Sequence, residues 1–332
     1  MTTSPPSHDI DPVPAHSYIL VSGSGRSGSN RVLDIFDQSS RTACRNEANE
    51  VPGGEFHAIG GLFFEDNLTE SDYSALTAAL RRAGLRRSSR DRLDQYRKDY
   101  LNPISRPFLR AMSKTRLRRV FVTLGVMANE NEWALPASVL NRDRLDDIRP
   151  VIKLLGCQTW AEVLINRDKN CQIVHNLRGP LPFLQSWFNR FILKSESQYA
   201  SFTQHFDDVP RILRFFGRDD AERLREPRVE NLIEVEIWRW RYINERLLAL
   251  SSHPGQYMLV TYNEVDRDPV SVAERLYDFA GLPMDEEAAV GIQNMRNTLF
   301  AKPHETNLDT DVSVRLIDEV LKDSPLGEFG HG

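Results

Sequence analysis

An α/β fold, one domain with a central, mainly parallel sheet flanked by helices, follows from three features of this 332-residue chain. Apolar runs of strand length alternate with longer segments of helical period, the order that βαβ units require. The first run, Tyr18 to Ser22, leads into Gly23-Ser-Gly-Arg-Ser-Gly28 and then directly into a helical pattern, a P-loop-like strand–loop–helix. A second run, Cys171 to Leu177, ends at Arg178 and turns through Gly179-Pro180 into another helix. In an open parallel sheet both junctions lie at the carboxyl ends of strands, where ligands bind.

Strands are expected over 18–22, 120–124, 151–155, 171–177 and 257–262, each a short run rich in β-branched, aromatic or leucine residues. Helices are expected over 28–38, 157–166, 180–193, 229–250, 270–279 and 312–321. The helix over 180–193 opens on Pro180, which fits a first turn because its missing N–H has no intrahelical partner there. The helix over 229–250 carries Val229, Leu232, Ile233, Trp240, Ile243, Leu247 and Leu250 on one face, interrupted only by Glu236, and reads as core packing.

Composition narrows the class. The three cysteines, Cys44, Cys157 and Cys171, are odd in number and lack metal-type spacing, which predicts reduced thiols in a cytoplasmic protein. The apolar runs are strand-sized, so no membrane span is expected. The first 14 residues have neither a basic nor an apolar region, which predicts a disordered tail over 1–14 ahead of a domain over 15–325. Between Arg81 and Arg119 stand 14 Lys and Arg against three Asp, a local balance of +11 in a chain of net charge −5. This reads as a basic helical insertion over about 68–119. It would be either an attractive surface for anions or a solvated face. The acidic whole and the lack of a nucleic-acid module argue against a nucleic-acid partner.

The loop at 23–30 has the chemistry of an anion site. Gly23, Gly25 and Gly28 admit close backbone approach, Ser24, Ser27 and Ser29 carry hydroxyl donors, and Arg26 adds a permanent planar charge. Gly23 and Gly28 have Walker A spacing, but Ser29-Asn30 stands where Lys-Ser/Thr is required, which disfavours a magnesium-dependent kinase. Gly23-x-Gly25-x-x-Gly28 also fits the dinucleotide fingerprint, with Glu47 or Glu50 as its acid. Arg178 at a strand end and Ser186 two turns into the next helix could grip one phosphate from two sides.

Taken together these blocks resemble the sulfotransferases that use 3′-phosphoadenosine 5′-phosphosulfate (PAPS), in motif pattern the carbohydrate and tyrosyl-protein branches. The resemblance rests on Arg26-Ser27-Gly28-Ser29, with Gly25 and Asn30 at variant positions; on Arg178 and Ser186; and on Tyr257 to Glu264 through Asp268-Pro269 to Phe279-Ala-Gly-Leu-Pro283. It implies that Gly25, Arg26, Ser27, Gly28, Ser29 and Asn30 hold the phosphosulfate, while Arg178 and Ser186 hold the 3′-phosphate at the opposite end of the nucleotide. The acceptor would be a hydroxyl on a carbohydrate or glycoconjugate, whether neutral or anionic, and no metal is implied. It further implies Glu47 as the base, placed after the first helix, with Glu50, Glu55, His57, His175 and His205 as rivals. Lys153 would contact the leaving phosphate, and a basic stretch over 296–302 would close over the adenosine. An inactive nucleotide-binding relative is the alternative.

Overall fold

In the computed structural model the described residues are 18–298 and 308–330, apart from 58, 60–62, 65–67, 89, 92–97, 106, 108–113, 124–130, 192–202 and 227. The expected 1–14 tail therefore lies outside them. A five-stranded sheet forms the centre, in the order β2-β5-β1-β6-β7. Its strands are β1 (Tyr18–Gly23), β2 (Thr42–Asn46), β5 (Arg149–Leu155), β6 (Cys171–Leu177) and β7 (Tyr257–Thr261). Every pairing in it is parallel. The first strand is thus the middle one, with β5 and β6 on either side, and the chain's switch point falls beside the loop that follows it.

Alternation along β1 divides the core. Tyr18 and Leu20 face one hydrophobic cluster, Ile19 and Val21 the other. On the Ile19 face pack α1 (Ser29–Asp37), α9 (Pro269–Ala280) and α10 (Glu286–Thr298), through residues such as Phe36, Leu276 and Ile292. On the Tyr18 face pack α4 (Gln158–Arg167), α5 (Pro180–Phe191), α6 (Thr203–Phe215), α7 (Val229–Ala249) and α11 (Thr310–Leu321). Trp160 and Trp240 are fully buried there. The long α7 follows its predicted stripe except at Val229, which is 48% exposed.

Beyond the helices α6 and α10 and a small ribbon, which were not expected from the sequence, two differences from expectation have a clear physical cause. The residues 120–123, expected to begin a strand, belong to helix α3 (Lys114–Thr123), and Leu124 lies outside the described residues. A run as short as Val-Phe-Val has no periodicity of its own, and the Lys-Thr-Arg-Leu-Arg-Arg lead carries it into helix. Strand β2 was not expected because Arg45 and Asn46 make Thr-Ala-Cys-Arg-Asn look polar. Arg45 nevertheless has no exposed surface, because Nε meets Asp91 at 2.8 Å and Nη2 meets Glu132 at 2.7 Å.

The partners of Arg45 come from the basic segment and its continuation. Helix α2 (Glu70–Ala83) is closed at its start by a Thr69–Asp72 capping box and buries Leu76, Ala79, Leu80 and Ala83 in the core. A small antiparallel ribbon, β3 (Arg86–Ser88) with β4 (Glu132–Ala134), follows. Arg82 and Arg86 pair with Glu55, Arg87 bonds Tyr100, and the buried Lys98 binds Asp37 at 2.9 Å. Many of its described cations therefore serve as internal struts.

Candidate functional site

A cleft of about 1080 Å³ opens at the carboxyl ends of the strands. That is as large as, or larger than, the usual range for one drug-sized ligand and suits two substrates side by side. The loop after β1 forms its floor. Gly28 caps α1 at φ 88°, and a Cβ there would lie 2.3 Å from the Tyr262 ring, so only glycine fits. No side chain caps α1, which leaves its first-turn N–H groups for an anion. Ser24, Gly25, Arg26, Gly28, Ser29 and Asn30 all line the cleft, whereas Ser27 is buried behind it.

Arg178 stands at the end of β6 with its guanidinium 4.3 Å above the Tyr262 ring, and its Nη1 donates to the Arg26 carbonyl at 3.2 Å. Arg26 Nε in turn donates to Ser186 Oγ at 3.1 Å. Arg26, Arg178 and Ser186, expected at opposite ends of a nucleotide, thus form one contiguous cluster, because the loop backbone bends at Arg26 (φ 67°) and turns its side chain towards α5. Burial and the neighbouring Arg190 both lower the Arg26 pKa. Ser24 Oγ and Arg178 Nε, both on the cleft lining, are buried without a hydrogen-bond partner among the described residues. Donors left in that state are those an oxyanion would satisfy, so the cradle fits a phosphate or sulfate group.

On the other flank sits Glu47, at the end of β2 and not directly after the first helix as expected. Lys153 reaches it from β5, an interior strand, with Nζ 2.8 Å from Glu47 Oε1, 2.7 Å from Asn30 Oδ1 and 3.0 Å from Asn46 Oδ1. Arg90 holds the other carboxylate oxygen at 3.0 Å. Burial alone would raise the Glu47 carboxyl, but the hydrogen bonds and charges of Lys153 and Arg90 outweigh it and hold the group below its ordinary pKa. Among the described residues only Arg26 and Glu47 are non-glycine residues with positive φ. Such backbone costs about 1–3 kcal/mol and tends to cluster at working sites.

The rivals to Glu47 separate by position. Glu50 lines the cleft. Glu55 is taken up by Arg82 and Arg86, and His57 lies 3.4 Å from the Asn49 carbonyl; neither lines it. His175 is fully buried between Tyr257 and Asn244 at 2.8 and 2.9 Å, and burial pushes it down to about 4, so it stays neutral. The side chains of His205 and Arg296, and residues 299–302 of the late basic stretch, lie outside the described residues.

Sequence reasoning missed several cleft residues. Arg190 stands one turn beyond Ser186 on the same helix face, a spacing that could have signalled it. Glu236 and Arg239 line the wall from α7, so this helix is more than core packing. Arg90 had no local signal, since it reaches the cleft only beside the end of β2, whereas Tyr262 sits just after β7 inside the Tyr257–Glu264 block without having been singled out.

The comparisons bear on this geometry. Residues 159–315 match the family model of the sulfotransferase domain, a span that includes Arg178, Ser186 and the Tyr257–Glu264 block. Just under half of the chain is therefore similar to the sulfotransferase domain. The loop at 23–30 and Glu47 lie ahead of the matched span. A stretch of 52 residues is 45% identical to carbohydrate sulfotransferase 1 of Rattus norvegicus and of Mus musculus, covering 16% of this chain and 13% of those enzymes. Solved structures show distant likeness. The sulfotransferase from Alicyclobacillus acidocaldarius is 13% identical, with TM-score 0.42 and 96% of each chain covered. STF9 from Mycobacterium avium is 15% identical at 0.41, covering 93% of this chain and 77% of its own. Mouse SULT7A1 complexed with PAP is 10% identical at 0.42, covering 94% and 87%.

Proposed function

We propose that this protein is a PAPS-dependent sulfotransferase acting on a carbohydrate hydroxyl. The observation that carries the reading is the convergence, in one cleft, of an uncapped helix start, the Arg26–Ser186–Arg178 cluster and a carboxylate beside a buried lysine. The 52-residue match to carbohydrate sulfotransferases supports the acceptor class.

In this reading the N–H groups at the start of α1 bind the phosphosulfate and Arg178 with Ser186 binds the 3′-phosphate, while Arg26, bonded to Ser186 and through its carbonyl to Arg178, turns from Ser186 to the phosphosulfate when the nucleotide enters. Tyr262 braces Arg178. Glu47 takes the proton as the acceptor oxygen attacks sulfur, the S–O bond to the phosphate breaks, and the electron pair leaves with the 3′,5′-bisphosphate. Arg26 and Lys153 meet the charge growing on the sulfuryl and phosphate oxygens.

Two measurements test this. Incubation with donor and a panel of sugars should release 3′,5′-bisphosphate without added magnesium; strict magnesium dependence would favour the kinase alternative. Arg178→Ala should weaken 3′,5′-bisphosphate binding by about one to two decades, the loss of one charge-assisted hydrogen bond worth roughly 1.5–3 kcal/mol. Adenosine 5′-phosphosulfate, which lacks the 3′-phosphate, should bind nearly as before. Equal losses in calorimetry would mean that Arg178 acts by holding the Arg26 carbonyl.

A further inference from the structure

Glu47 has two cationic partners on opposite oxygens, and they differ in burial and in how many groups hold them. Lys153 is 3% exposed at its side chain and fixed by Asn30 and Asn46 as well as by Glu47 Oε1. Arg90 is 41% exposed, and beyond Glu47 Oε2 its other ion-pair contact among the described residues is Glu50 at 4.0 Å. A hydroxyl that delivers its proton to Glu47 needs one of those two oxygens. Lys153 lies on the side of Asn30 and the anion loop, so the oxygen free to be surrendered is the one held by Arg90.

We propose that Arg90 is an acceptor-recognition residue: the acceptor hydroxyl displaces it from Glu47, and the freed guanidinium takes an anionic group on the same sugar or the next one. The reading rests on Glu47 as the base. It names the acceptor class as an acidic glycan, one bearing a uronate or an ester sulfate near the reacting hydroxyl. A guanidinium released from a carboxylate into a half-exposed cleft loses a charge partner, and its planar fork suits a second carboxylate or a sulfate. A neutral sugar offers no such exchange.

The position of Arg90 is built into the fold. Asp91, the next residue, is 1% exposed and accepts from Arg45 Nε, from the Asn46 N–H at 2.7 Å and from the Ser88 N–H at 2.6 Å. This pins the chain at Arg90 against the end of β2, where Glu47 begins. Among the described residues three charged groups bear on Glu47: Lys153 from β5, Arg90 from the stretch after β3 and Arg26 from the loop after β1; Glu50, in the next turn, bears on Arg90 at 4.0 Å. Moving Arg90 away removes one of the two cations bonded to it. The Glu47 pKa then rises towards its ordinary value, so binding of an acidic acceptor would itself make Glu47 a stronger base near neutral pH.

The test compares a uronate-containing disaccharide with the same disaccharide reduced at the carboxyl, for wild type, Arg90→Gln and Arg90→Lys, following 3′,5′-bisphosphate release. Wild type should prefer the uronate. Arg90→Gln should lose about 10- to 100-fold in kcat/KM on it, mainly through KM. On the reduced sugar the loss should be at least about tenfold smaller, with the acid limb of the rate profile moved to higher pH. Arg90→Lys should recover only part of the preference, since it restores charge without the fork. An equal loss on both sugars, or an unmoved acid limb, overturns the proposal. Turnover that survives Glu47→Gln removes its mechanism while leaving the sulfotransferase reading standing. Absence of transfer to both sugars, with nucleotide binding intact, overturns the acceptor class itself.

Discussion

Glu47→Gln should leave 3′,5′-bisphosphate affinity intact while lowering turnover by about 10² to 10⁴, the usual range for loss of a general base. The amide keeps the shape of the carboxyl and an oxygen that can accept from Lys153, so the contacts at 2.8 Å from Glu47 and 2.7 Å from Asn30 can both persist. What it loses is the capacity to take a proton. Because Lys153 and Arg90 hold the wild-type carboxyl below its ordinary pKa, the base form persists to lower pH than for a free glutamate. The acid limb of kcat/KM for the free enzyme should therefore fall below the usual glutamate value, and an acid limb centred above that value would exclude Glu47. If nucleotide binding is lost along with turnover, Glu47 acts by organising the Lys153–Asn30 contact under the anion loop.

Arg45→Met should destabilise the fold by about 3–5 kcal/mol, the cost of removing one partner from a buried ion cluster. Asp91 and Glu132 are 1% and 2% exposed, and Arg45 is hydrogen-bonded to both. Methionine fills much of the volume and isolates the charge effect from that of a cavity. Against a typical total of about 5–15 kcal/mol the loss is large and should appear as a lower urea midpoint. The cluster ties β2 to the ribbon that delivers Arg90, so surviving activity should also lose acceptor selectivity. A change below about 1 kcal/mol would show that backbone donors to Asp91 and Glu132 suffice alone.

Much of the architecture was legible in the chain. β1, β5 and β6 are short, largely apolar runs buried in the middle of the sheet, as interior parallel strands require, and the half-buried edge strand β7 is equally rich in apolar residues. The α7 stripe was equally plain. β2 escaped because its stability depends on a buried arginine, and an arginine reads as surface until its carboxylates, 46 and 87 residues away, are known. Residues 120–123 were misread because three apolar residues fit helix or strand alike. In the site, the glycines, Arg26, Arg178 and Ser186 were visible because local chemistry demands them: a left-handed cap, a close approach, a strand-end cation.

Local order along the chain therefore dictates the α/β alternation, the loop that can receive an anion, and the strand-end arginine with the serine two turns beyond. Only the folded molecule brings Lys153 and Arg90 onto the two oxygens of Glu47, stacks Tyr262 against Gly28, and turns described members of a basic run into struts while leaving Arg90 half-exposed in the cleft. The physical reason is separation. Backbone preferences act over a few residues, whereas the charge balance of this cleft is assembled from the ends of β2, β5 and β6, the loop after β1 and the stretch after β3, which no short-range pattern connects.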